Sequence, residues 1–392
     1  MRFARRCDWP TEPNPLSAAL GRLRAEGRPP IDLTESNPTR CGLAAPPDFF
    51  GALADPANVR YEPDPRGLAS AREAVRAYYA QAGVRVGIDD IFLTAGTSEA
   101  YGFLLRLLAD PGDAVLVPSP SYPLFDYLVS IGDADVRPYR LRHDGSRWAP
   151  DLDGLARELA RRPAPKAVLA VHPNNPTGSF FSAPERRAID GFAADAGAAV
   201  ISDEVFLDFA GGTPVPGFTG ENRALTFTLS GVSKVLALPQ MKIGWIVLSG
   251  PEAARREAGA KLEVIADTYL TVNGPAQRAL AGWLARRGEP LSLVRERLAL
   301  NRRTLEAAFD GSARACALRA EAGWYGIIRF DGPEEAEETL ALRLLEEDGV
   351  FVHPGYFFDF ENGCHFVVSL LPEPAVFGEG IRRVAARLGG SG

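Results

Sequence analysis

From residue 90 onward, short apolar runs alternate with longer stretches in which apolar side chains recur every three or four positions. The runs are IFLT (91–94), AVLVP (114–118), ADVRPYRL (134–141), AVLAV (167–171), AAVIS (198–202), LTFTL (225–229) and IGWIVLS (243–249). Runs that are apolar at successive positions predict strands buried on both faces, and intervening helices predict parallel pairing. Helices are predicted from about 97, after 122 and from about 184. Upstream, RGLASAREAVRAYYAQAG (66–83) puts Leu68, Ala71, Val75 and Tyr78 at helical spacing and stops at Gly83. The pattern predicts an α/β body with a mostly parallel sheet between helices.

After Gly274 the pattern turns helical through about Phe309. It then becomes mixed: YGIIRF (325–330), a helix over 334–347, VFVHP (350–354), HFVVSLL (365–371) and a last helix. This predicts a smaller α+β domain. At 392 residues the chain exceeds what one core usually serves. The expected division is an N-terminal arm and part of the small domain over 1–47, a large domain over 48–274, and a small C-terminal domain over 275–392. The arm is rich in Pro and Arg, with IDLTESNPTRCG (31–42) as a short extended piece ending in a loop.

The formal charge of -7 is spread without long basic runs, which argues against a nucleic-acid surface and for small-molecule partners. The four cysteines form no CxxC pair, so neither a disulfide framework nor a metal site is indicated. No stretch of about 18 apolar residues and no signal-peptide core is present, so a cytoplasmic protein without a membrane partner is expected.

In parallel sheets ligands bind beyond the carboxyl ends of the strands, so the residues there are the candidates. After IFLT come Gly96, Thr97 and Ser98, a small-residue turn opening a helix whose free N–H groups would favour an anion, or a plain helix cap. After AVLAV comes HPNNPTG, whose prolines fix the backbone around the Asn175 amide, or a simple turn. After AAVIS comes Asp203, a carboxylate that needs a cationic partner if buried. Lys234 stands in TLSGVSKVLALPQMKIGW (228–245), between two apolar runs. A desolvated lysine there is a nucleophilic amine able to form a Schiff base, and a solvated one is merely a surface charge.

An anion turn, an amide, a strand-end carboxylate and a lysine, in that order, resemble the class I/II aminotransferases of pyridoxal phosphate (PLP) fold type I. The resemblance covers nearly the whole chain, and its HF..SLLP tail is similar to the alanine aminotransferase branch. It implies that Lys234 binds pyridoxal 5'-phosphate as a Schiff base and shuttles the substrate proton. It further implies that Asp203 pairs with the pyridine nitrogen, Tyr122 stacks on the ring and Asn175 contacts the ring oxygen. Gly96, Thr97, Ser98 and Ser233 match phosphate-loop positions. Tyr61 matches a tyrosine that reaches the neighbouring subunit's phosphate, so a homodimer with shared sites is implied.

Three positions depart from the family pattern. Lys242 replaces the arginine eight residues after the lysine, keeping the phosphate-facing charge without the bidentate fork. Phe206 replaces a tyrosine and removes one donor from the ring oxygen. Val367 stands where an arginine clamps the substrate carboxylate, with Arg40 of the arm and, behind it, Arg329 as candidate replacements.

The expected activity is transfer of an amino group from an amino acid to a 2-oxo acid, ping-pong through pyridoxamine phosphate. The alternative is a PLP-dependent lyase, decarboxylase or cyclase using the same Lys234. A third possibility is a PLP-binding regulator, for whose DNA-binding domain the stretch before Asp32 leaves no room.

Overall fold

The computed structural model describes residues 3–210, 215–333 and 336–389. The arm contributes a two-residue strand, β1 (Ile31–Asp32). The large sheet is built from β2 (Ile91–Thr94), β3 (Ala114–Ser119), β4 (Asp135–His143), β5 (Trp148–Pro150), β6 (Ala167–Val171), β7 (Ala199–Asp203), β8 (Thr226–Gly231) and β9 (Gly244–Ser249). The C-terminal part adds β10 (Ala315–Leu318), β11 (Tyr325–Phe330), β12 (Val350–Phe351), β13 (His353–Pro354) and β14 (Cys364–Ser369).

The large sheet has the order β2-β9-β8-β7-β6-β3-β4-β5. Strands β8, β7, β6, β3 and β4 run parallel, and β9 is antiparallel to both β8 and β2. Hence β2 runs in the common direction, and only β9 and β5 oppose it. The segments following β2, β3, β6, β7 and β8 therefore emerge at one edge. Strands β2, β3 and β6 to β9 are buried at every position, matching their continuous apolar runs.

The small sheet, β10-β11-β14-β13, is antiparallel, and β1 pairs in parallel with β12. Leu16, Leu23 and Leu33 of the arm share a core with Val294 and Leu298 of the helix Gly288–Phe309 and with Phe366 of β14. The arm thus packs with the C-terminal strands. The preceding helix, Gly274–Ala285, packs instead against the large sheet, its Leu280 and Trp283 lying with Val235 and Trp245.

Helices over Ala69–Gln81, Thr97–Leu108, Phe125–Ile131 and Ala183–Ala196 stand where the periodicity places them. The predicted helix over 334–347 is present as Ala336–Glu346, its expected start lying outside the described residues. The helix Glu252–Tyr269 was not foreseen. It buries only Ala258, Gly259, Leu262 and Ala266, a stripe too small-sided to mark a helix in the sequence. Among the described residues no helix is long and apolar enough to cross a membrane.

Candidate active site

A cavity of about 200 Å³ opens at the common carboxyl edge of the sheet. Its wall brings together Gly96, Thr97 and Ser98 after β2, Tyr122 after β3, Asn175 after β6, Asp203 and Phe206 from the end of β7, and Ser233 and Lys234 after β8. The helix Thr97–Leu108 starts directly at this wall, so its leading N–H groups and positive dipole end face the cavity.

Close packing of glycines makes this corner possible. Gly96 has φ +139°, and a side chain on Gly244 would lie 2.9 Å from its Cα. A side chain on Gly231 would in turn meet Gly244 Cα at 2.9 Å. Larger residues would push the Lys234 turn away from the helix N-terminus.

Lys234 sits in the single turn Val232–Val235 and is half-buried. Its Nζ lies 4.6 Å from the centre of the Trp324 ring and 5.5 Å from that of Phe206. Burial among these rings lowers its pKa from 10.5 to about 8, partly offset by the Asp203 charge. Asp203 is pushed the other way, from 3.8 up to about 6, because burial outweighs its hydrogen bonds and the attraction of Lys234. Those bonds come from Tyr101 Oη at 3.0 Å and the Val205 N–H at 3.2 Å. Burial likewise raises Tyr122 to about 12, keeping a neutral phenol on the wall.

The loop after β6 is fixed by its own hydrogen bonds. The Asn174 carbonyl accepts from Gly178 N–H at 2.8 Å, and the Asn174 side chain accepts from the Thr177 hydroxyl at 2.9 Å. Gly178 carries φ +65°, and a side chain there would lie 2.2 Å from the Ala322 carbonyl oxygen. The same contact is made productive by a hydrogen bond from Ala322 N–H to the Gly178 carbonyl at 2.9 Å. Asn175 Oδ1 is buried and has no hydrogen-bond partner in the protein.

Five expected residues do not reach this wall. Lys242 is exposed, in a left-handed conformation with φ +51°, and does not line the cavity. Arg40 is held by Glu35 at 3.3 Å, with 75% of its side chain exposed. Val367 is fully buried, in a core with Ile327 and Phe358. Tyr61 is 77% exposed and borders a separate groove with Thr271 and Arg278. Arg329, the further candidate, is exposed in β11 opposite His365. Conversely, Ser36, Tyr101, Phe125 and Tyr325 line the cavity without having been singled out. Tyr101 was in principle legible, one helical turn on from Thr97.

A model of the aminotransferase class I and II family matches residues 26–370. The chain belongs to this family. It is 30% identical to the glutamate-pyruvate aminotransferase AlaA of Escherichia coli over 272 residues, 68% of this chain and 66% of that enzyme, just under two thirds of its length. It is 29% identical to the alanine aminotransferase of Mycobacterium tuberculosis over 374 residues, 91% of this chain and 85% of that one. In fold it resembles the alanine aminotransferase of Pyrococcus furiosus, with a TM-score of 0.90 over 99% of this chain and 100% of that one at 24% identity. The fold is PLP fold type I, and the cofactor of class I and II aminotransferases is pyridoxal phosphate. The donor set fits that group: helix N–H groups and hydroxyls for a phosphate, a carboxylate for a ring nitrogen, the Asn175 amide N–H group for a ring oxygen and an amine for an aldehyde.

Phe206 gives a first prediction. It lies on the wall 5.5 Å from Lys234 Nζ and offers no hydroxyl. Phe206→Tyr adds a donor for the ring oxygen, so the visible-absorbance pH titration of the PLP-loaded protein should shift to lower pH. An unchanged or upward midpoint would dismiss this.

Proposed function

We infer that this protein is a PLP-dependent aminotransferase that moves an amino group from an amino acid to a 2-oxo acid by a two-stage exchange. The reading rests on one observation: half-buried Lys234 and buried Asp203 share a cavity with the N-terminus of the helix Thr97–Leu108. Bound there, PLP supplies a carbonyl that amines can attack and a ring that holds the electron pair left when a substrate C–H bond breaks.

The protein's own residues divide the remaining work. Gly96, Thr97, Ser98 and Ser233 would hold the phosphate on backbone N–H groups and hydroxyls. Asp203, oriented by Tyr101 and the Val205 N–H, would keep a proton on the ring nitrogen. Asn175 would meet the ring oxygen and Tyr122 the ring face. Lys234, whose amine is readily deprotonated in its aromatic setting, would bind the cofactor and then carry the substrate proton as general base.

Exposed Tyr61, together with exposed Val59 and Leu270, supports a homodimer in which Tyr61 reaches the second subunit's phosphate. The test of function is to add amino acids singly to the PLP-loaded protein, alanine and glutamate first because of the relatives' names. Conversion of the absorbance to that of pyridoxamine phosphate, with one equivalent of 2-oxo acid, is the expected result. A spectral change that returns without oxo acid would favour a lyase, decarboxylase or cyclase. That second reading draws support from the absence of any arginine on the described cavity wall.

A further inference from the structure

A carboxylate brought into this cavity would ordinarily need a fixed cation. Among the described residues lining it, Lys234 is the only cation, and bound PLP would engage it. The arginines expected to replace the missing clamp are elsewhere, Arg40 tied to Glu35 and Arg329 exposed on β11. Val367 gives the small sheet an apolar side chain at this place: it pairs with Ile327, two cross-strand pairs from the Tyr325–Ser369 pair and on the same face.

What the arm and the small sheet do present to the cavity is a pair of hydroxyls. Ser36 follows β1, Tyr325 opens β11, and both line the wall. The Tyr325 ring stands edge-on to Phe206, 87° between planes at 6.5 Å, and Phe206 lies beneath the Lys234 amine. The two hydroxyls thus share the cavity wall with Phe206 and Lys234, where the arm and the small sheet meet the large sheet.

We propose that the carboxyl end of the substrate is recognised by the neutral hydroxyls of Ser36 and Tyr325, and not by a guanidinium. A hydroxyl can donate to a carboxylate oxygen and can equally donate to or accept from a carboxamide. A guanidinium offers only donors in a fixed charged fork, which rejects a neutral substitute. This pocket should therefore discriminate only weakly between an acid and its amide. The inference builds on the aminotransferase reading, since it takes this cavity to be the substrate site.

The test measures binding of two unreactive ligands, 3-phenylpropionate and 3-phenylpropionamide, to the PLP-loaded protein by calorimetry. The acid and the amide should bind within about tenfold of each other. Tyr325→Phe and Ser36→Ala should each weaken the acid by roughly three- to tenfold, the span of one neutral hydrogen bond. PLP content should be unchanged in both, and Ser36→Thr should recover binding. Acid bound more than a hundredfold tighter than amide, unchanged affinity in both variants, or no binding of either ligand would overturn the assignment. Because neither ligand carries an amino group, the result is independent of transfer: a protein that binds both as expected but transfers no amino group sinks the functional reading alone.

Discussion

Replacing Lys234 by alanine should abolish covalent attachment of PLP and lower amino transfer by at least about 10²- to 10⁴-fold, the share typical of one positioned acid-base group. Borohydride reduction followed by peptide mapping should label the Lys234 peptide in the parent protein and nothing in the variant. Label on another lysine, or transfer within tenfold of the parent, would remove Lys234 from the reaction. The fold should survive the change, because a buried amine among Trp324 and Phe206 is held for chemistry at a cost to stability.

That cost has a definite pH window. The folded-state pKa of Lys234 is about 8 against an ordinary 10.5. Between these values the unfolded chain binds the extra proton, so the stability of the PLP-free protein rises with pH over that interval and the gain is lost as pH falls through 8. Asp203 works in the opposite range. Its pKa is raised from 3.8 to about 6, so its contribution is present below 3.8 and lost by about pH 6. Together they make the empty site most costly between about pH 6 and 8, where a cationic ring nitrogen and a consumed amine would relieve both groups. Lys234→Met should flatten the upper limb of a plot of melting temperature against pH, measured without PLP.

Asp203→Asn is the second large effect. Removing one partner from a buried charge pair typically costs about 3–5 kcal/mol, or between about 10²- and 10⁴-fold at 1.4 kcal/mol per decade. The loss should appear in the rate of the half-reaction with an amino acid, read by stopped-flow absorbance, more than in PLP content. Tyr101→Phe removes only one of the bonds that orient this carboxylate and should cost about tenfold at most. A rate within threefold of the parent for Asp203→Asn would show that the carboxylate does not serve the ring nitrogen.

The sequence made the scaffold readable where a physical signal is local. The bounds of β2 and β6 coincide with IFLT and AVLAV because each is a continuous apolar run between polar or turn residues, and β11 coincides with YGIIRF although Arg329 interrupts its apolar pattern. The cofactor-facing residues were readable for a related reason: the common direction of the parallel strands collects their following residues at one edge. Side chains whose place depends on assembly were not. Ser36 and Tyr325 are ordinary in their own segments and meet only because β1 pairs with β12 and the arm packs on the small sheet. Lys242 keeps the expected sequence spacing but is exposed and off the wall, an outcome that spacing does not encode. The domain limit proposed at 274 rested on a change of pattern, and the packing of Leu280 and Trp283 with the large sheet favours the break at 286–287 instead.

The hydrogen bond between Gly178 and Ala322 ties the loop bearing Asn175 to the strand entry bearing Trp324 and Tyr325. Anyone recombining this protein with a relative would find that 172–178 and 320–325 travel as one cassette. Exchanging either loop alone would set a foreign backbone against a seam with no room for a single added carbon, so chimaeras should be cut outside both loops.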